Sequence, residues 1–142
     1  LGVPRARYSE NDPHTQDGFD LFVAVGCATC HRPTLRTADG NEAVSGITFS
    51  PYTDLLLHDM GTGLTETLAE GPATPSEWRT PPLWGLGIVA ENVQARFLHD
   101  GRANTLADAI EWHGGEAEQS RQAFLSLTPM EREQLLAFLS AL

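Results

Sequence analysis

Cys27-Ala28-Thr29-Cys30-His31 is the stretch on which the reading of this chain turns, and it holds both cysteines of the 142 residues. Three chemistries use two cysteines at this spacing. A redox dithiol of the thioredoxin kind opens a helix after a strand, inside a βαβ pattern. Nothing around these residues has that pattern. A zinc site needs further Cys or His at finger spacing. No second C-x-x-C exists, and the remaining histidines, His14, His58, His99 and His113, are scattered. The third chemistry is covalent attachment of a c-type haem, whose signature is C-x-x-C-H. Two thiols three apart reach the two vinyl groups on one porphyrin edge. The next residue then brings its imidazole under the iron. Haem stands first because His31 follows at once and no other cysteine is present. On this reading Cys27 and Cys30 become thioethers, His31 is the proximal ligand, and one covalent haem c is the cofactor. Attachment is done outside the bacterial cytoplasm, so the expected location is periplasmic.

Composition agrees with one soluble globular domain: 41% of residues are apolar and 20% charged. No apolar stretch approaches the length of a membrane span. The formal charge is −10. That argues against nucleic acid and anionic membranes as partners, since both need a cationic face. All nine basic residues are arginine. Lysine-dependent chemistry, such as a Walker-type phosphate loop or a Schiff base, is thereby excluded. The chain starts Leu1-Gly2-Val3 without Met or a signal-peptide pattern, as a processed protein or a fragment would.

Residues 1–11 read as an N-terminal arm or linker, and 12–142 as the haem domain. Asp12-Pro13 has the form of a helix start, with an acceptor at the cap and Pro at the first turn. Phe19, Phe22 and Val23 share a face of that helix, and Gly26 ends it just before the haem string. Arg32 to Gly63 shows Pro, Gly, Thr and Asp with little helical period. A short strand pair is expected over Val44–Phe49, one or two helical turns over Thr65–Glu70, and a loop from Gly71 to Pro82. Thr105 and Asp108 have capping-box spacing. Leu106, Ala109, Ile110 and His113 then fall on one face, and Gly114-Gly115 stops the helix. A third helix is expected from Glu116 to Ser126. Thr128-Pro129-Met130-Glu131 caps a last helix that buries Leu135, Leu136, Leu139 and Leu142. The fold class is mostly α, a cytochrome c-like helical domain wrapped round one covalent haem, with long loops and a short strand pair.

Candidates for the sixth iron position are His14, His58, Met60, His99, His113 and Met130. Met130 belongs to a helix cap, and His14 to the first turn of the attachment helix. His113, on an apolar helix face, and Met60, on a loop, rank close together on these grounds. Arg79, Arg96 and Arg102 are candidates for the haem propionates, because Arg suits bidentate carboxylate binding. No residue is assigned a catalytic role.

Four further strings follow the haem string in order. They are Tyr52-Thr53-Asp54-Leu55-Leu56-Leu57-His58-Asp59-Met60-Gly61, then Glu77-Trp78-Arg79-Thr80-Pro81-Pro82-Leu83-Trp84-Gly85, then Phe97-Leu98-His99-Asp100-Gly101-Arg102, then Thr105 to Ala117. With them the chain resembles the C-terminal half of the bacterial di-haem "thiol oxidoreductase" proteins. Those resemble the di-haem cytochrome c peroxidases and the di-haem enzyme that matures methylamine dehydrogenase. The resemblance implies that Cys27 and Cys30 bind haem and that His31 ligates iron. In the peroxidases the second ligand ends the Thr-Leu-x-x-Ala helix and is Met, and in the methylamine-related enzyme it is Tyr. His113 holds that place here, which ranks it above Met60 and changes the expected potential. The di-haem proteins carry two C-x-x-C-H strings, whereas this chain has one. It resembles the electron-entry half, with the second haem domain as its missing partner and a small redox protein as a compatible donor. The alternatives are a self-sufficient monohaem peroxidase and, further off, a C-x-x-C dithiol oxidoreductase.

Overall fold

A computed structural model describes residues 13–40 and 43–142. The arm expected over residues 1–11, and the cap expected at Asp12, lie outside the described residues.

Helix α1 runs Pro13–Ala24 with Pro in its first turn. Gly26, at φ 91°, closes it, and Cys27–Thr29 follow as a 3-10 turn. Only glycine takes that backbone conformation without a steric cost, so the chain turns sharply into the cysteine string. At the other end of the sequence α5 runs Pro129–Ser140. Its Thr128 accepts from the Glu131 N–H, and the Glu131 carboxylate accepts from the Thr128 N–H. The main packing of the molecule is α1 against α5. Phe22 and Phe138 meet at 5.5 Å between ring centres, and Tyr52 closes on both at 6.0 Å. With Val25, Phe124, Leu135, Leu139 and Leu142 they form the buried core.

Helix α1 meets α5 through Gly18, Phe19 and Phe22, and the Phe19 ring lies 5.6 Å from that of Phe138. Val23, expected on that face, is 48% exposed. The contact follows Gly18 because the missing side chain lets the helices approach. A Cβ at Gly18 would sit 2.2 Å from the Gln134 carbonyl oxygen and 2.6 Å from Phe138 Cβ. Gly18→Ala is therefore expected to destabilise the fold by about 1–3 kcal/mol or more, as an overpacked core does. Denaturant midpoints of the two proteins check this, and equal midpoints would contradict the close approach of α1 and α5.

Four short strands form two antiparallel pairs. Strand β1 (Leu35–Arg36) pairs with β2 (Thr48–Phe49), and β3 (Leu57–Asp59) with β4 (Glu77–Arg79). The strand pair expected over Val44–Phe49 forms differently: only Thr48–Phe49 is strand, and its partner is Leu35–Arg36. The second pair was not legible, because β4 lies in the proline-rich stretch that reads as loop. No helix forms over Thr65–Glu70. A 3-10 turn at Thr62–Leu64 precedes it, and the flanking glycines and prolines leave no room for a second turn.

Helix α2 spans Leu86–Ala90, α3 Leu106–Glu111 and α4 Glu118–Ser126. Thr105 caps α3 by accepting from the Asp108 N–H at 3.0 Å. The Asp108 carboxylate reaches back to the Asn104 N–H, one residue short of a full capping box. Glu116 sits in a 3-10 turn, Gly115–Ala117, that leads into α4. The mostly α class holds, with five α-helices among the described residues. None of them is long and apolar enough to cross a membrane.

Candidate functional site

The turn that follows α1 delivers the cysteines and His31 together. The His31 N–H donates to the Cys27 carbonyl at 2.9 Å, which ties the imidazole to the thiol-bearing turn. The His31 Nδ1–H donates to the Tyr52 carbonyl at 3.1 Å. Tyr52 holds a positive φ of 54° while its ring is buried against Phe22 and Phe138. For a bulky residue that conformation is costly, and the surrounding core holds it in place.

His113 arrives from the other direction, just past the end of α3. Its Nδ1–H donates to the Ala109 carbonyl at 2.7 Å. The two imidazoles face each other at 6.4 Å between ring centres, with 49° between their planes. Neither Nε2 has a hydrogen-bond partner among the described residues. A Nδ1–H bonded to a backbone carbonyl fixes the tautomer and leaves the Nε2 lone pair for a metal. Burial pushes the His31 pKa down to about 4, against the opposing bond to Tyr52. Burial likewise lowers that of His113. Both rings are therefore neutral near pH 7, the form that ligates metal.

The separation of the two rings is compatible with a metal ion held between them. Two metal–nitrogen bonds of about 2 Å, plus about 1 Å from each nitrogen to its ring centre, give a separation of about 6 Å.

The acid response of the chain made without haem follows from His31. Its folded pKa is depressed, so its contribution is full above about pH 6.5 and lost as pH falls through about 4. We expect wild type to lose about 3 kcal/mol more than His31→Gln between pH 7 and pH 4. Urea midpoints at the two pH values measure this, and equal losses would contradict it.

Cys27 and Cys30 are free thiols in the structure. Burial raises the Cys27 pKa to about 11. Burial, then the charges of Asp54 and Glu116, raise that of Cys30. Thiols so shifted are poor nucleophiles, which counts against a redox dithiol.

Beside Cys30 lies a charged group that sequence reading missed. The His58 Nδ1–H donates to Glu116 at 2.8 Å and its Nε2–H to Asp54 at 2.9 Å. The Asp54 carboxylate is 6% exposed. One ligand atom each of Cys30, Asp54 and His58 lies within 4.8 Å of the others. Glu116 stands 58 residues from His58 in sequence, so no local spacing betrays the pair.

Met60 follows β3 and is half-buried. It lines, with His113, Trp112 and Arg121, a cavity of about 620 Å³ that does not reach His31 or the cysteines. Among the other ligand candidates, the ring of His99 stacks on Trp78 at 3.6 Å and pairs with Glu66 at 3.1 Å. Met130 is 68% exposed in the first turn of α5. The His14 side chain lies outside the described residues. Arg102 pairs with Asp100 at 2.6 Å and lies over the Trp112 ring. Arg96 bonds the neighbouring Ala95 carbonyl. Arg79 is exposed on β4.

Comparison with known proteins adds an independent line. A curated relative, the cytochrome-c peroxidase IdrP2 of Denitromonas iodatirespirans, is 26% identical over 148 residues. The match covers 89% of this chain and 39% of that protein, so the chain spans well under half the relative's length. No solved structure matches. The family model described as "Di-haem oxidoreductase, putative peroxidase" matches residues 1–142. The chain belongs to the di-haem oxidoreductase family.

Proposed function

We propose that this chain is a c-type haem electron-transfer domain, the electron-entry half of a periplasmic di-haem oxidoreductase of the cytochrome c peroxidase type. The observation that carries the reading is the opposed pair His31 and His113, with both Nδ1 atoms tied to backbone carbonyls and both Nε2 atoms free. In this assignment Cys27 and Cys30 would hold the haem through their thiols, and His31 and His113 would bind its iron. Met60 is the runner-up for the second position. The haem, when bound, supplies a one-electron iron couple, and its axial ligands set the potential. The chain's own residues bind it, orient the two imidazoles and keep water from the sixth position. At least one of Arg79, Arg96 and Arg102 pairs with a propionate. The guanidinium of Arg79 has no hydrogen bond or ion pair among the described residues, which leaves it available for that pairing.

The family is di-haem and this chain has a single C-x-x-C-H string, which supports a second haem domain as its working partner. A small redox protein serves as electron donor. The test is the visible spectrum of protein matured with haem. A covalent haem with a six-coordinate, low-spin spectrum is expected. A high-spin spectrum would favour the self-sufficient monohaem peroxidase instead. Failure to acquire covalent haem where a known cytochrome c acquires it would return the C-x-x-C string to thiol chemistry.

A further inference from the structure

The two axial candidates come from distant parts of the chain, and a small charged assembly joins those parts. His58 sits in the middle of β3, opposite Trp78 of β4. Both of its ring nitrogens meet a carboxylate oxygen within 3 Å. A neutral imidazole has one N–H and cannot donate to both, so His58 stands here as an imidazolium. The Glu116 carboxylate, helped by Asp54 and opposed by burial, raises its pKa in keeping with that geometry.

Each carboxylate belongs to one side of the iron site. Asp54 lies two residues beyond Tyr52, whose carbonyl holds His31. The segment between them is stiff. Thr53 is buried and donates to the Thr80 carbonyl at 2.7 Å, and Asp54 accepts from the Leu56 N–H at 2.9 Å. Glu116 lies three residues beyond His113. Its second oxygen accepts from the Asp59 N–H at 3.0 Å. The two glycines between His113 and Glu116 are packed onto the same loop. A Cβ on Gly115 would meet the Asp59 carbonyl oxygen at 2.1 Å, and one on Gly114 the Met60 carbonyl oxygen at 2.9 Å.

We infer that His58 is a positioning residue for the haem: a cationic pin between Asp54 and Glu116 that fixes the His113 side of the crevice against the His31 side. The inference rests on the bis-histidine reading proposed above. Charge-assisted bonds at both ring nitrogens give the pin its hold. The glycine contacts alone leave the His113 turn free to slide, since van der Waals contact resists compression but not separation. With the pin intact, the His113 ring stays at ligating distance. With it cut, His113 leaves the iron more often.

The experiment uses the haem-loaded chain and carbon monoxide as probe. Carbon monoxide binds reduced haem only when an axial ligand lets go, so its binding rate reads the opening of His113. His58→Gln and Glu116→Gln are each expected to raise that rate at least tenfold, with helical content and covalent haem retained. The double variant is expected to be no faster than either single one, because the two residues act as a unit. Glu116 is 56% exposed at its side chain, so Glu116→Gln carries the test even where His58→Gln fails to fold. Wild-type rates in Glu116→Gln, or additive effects in the double variant, overturn the inference while the ligand assignment stands. A wild-type protein that is already high-spin overturns the ligand assignment and the inference with it.

Discussion

His113→Ala in the haem-loaded chain is expected to convert a low-spin spectrum into a high-spin one that binds added imidazole or cyanide. Thr105 caps α3, the helix is short, and His113 falls just beyond its last turn. The bond from its Nδ1–H to the Ala109 carbonyl fixes the ring 6.4 Å from that of His31 and leaves Nε2 available as the ligand atom. Alanine removes that atom and leaves a gap where a small exogenous ligand enters. Loss of the sixth ligand is a change of spin state, which no ordinary packing defect imitates. An unchanged low-spin spectrum in His113→Ala would sink the assignment. Met60→Ala is the companion measurement. If it abolishes a Met-to-iron charge-transfer band, Met60 is the ligand and His113 is a core histidine.

The isolated haem domain is expected to consume peroxide at least about 100-fold more slowly than a family member carrying both haem strings. That factor is the lower end of what one positioned proton-transfer group contributes. Rapid cleavage of peroxide needs an open iron position with a general base beside it. His113 closes the position on the proposed reading. His58, within 4.8 Å of Cys30 by its ring nitrogen, has both nitrogens committed to carboxylates and no lone pair with which to accept a proton. Trp78, Trp84 and Trp112 are occupied in packing: Trp78 on His99, Trp84 on Phe49, Trp112 under Arg102. Steady-state peroxide consumption with a reduced donor measures the difference. Comparable turnover by the single domain would overturn the electron-transfer reading and promote the monohaem enzyme.

The helical frame was legible because its signals are local. Thr128 and Glu131 form the capping box that their spacing announces, and Thr105 caps α3 as its offset from Asp108 implies. Leu135, Leu139 and Leu142 are buried as their period requires, with Leu136 packed at the edge. On α1, Phe19 and Phe22 turn inward as expected and Val23 does not, because the helices approach at Gly18, which has no hydrophobic signal at all. The β3–β4 pair escaped for a related reason. Its strands are three residues long, and a period of two is not detectable over that length. At the candidate site, motif and helical face point to the cysteine string, His31 and His113, and the fold brings the two histidine rings together. Asp54 and Glu116 were not legible, since acidic residues in an acidic chain attract no notice until a fold brings them to the same imidazole. The meaning of His58 thus depended on contacts across 58 residues, which only the folded chain supplies.

Tyr52 gives the molecule a property that neither its core nor its site has alone. Its ring is wedged between Phe22 and Phe138, while its carbonyl grips the imidazole of His31. Bonds of this kind tune how basic a ligating imidazole is, and hence how strongly the metal holds an electron. Swelling or shrinking the aromatic cluster, as by Phe138→Leu, therefore shifts the grip on His31 along with the fold. On the proposed reading, thermal robustness and electron affinity are coupled through Tyr52, so a substitution in the aromatic cluster that changes one changes the other.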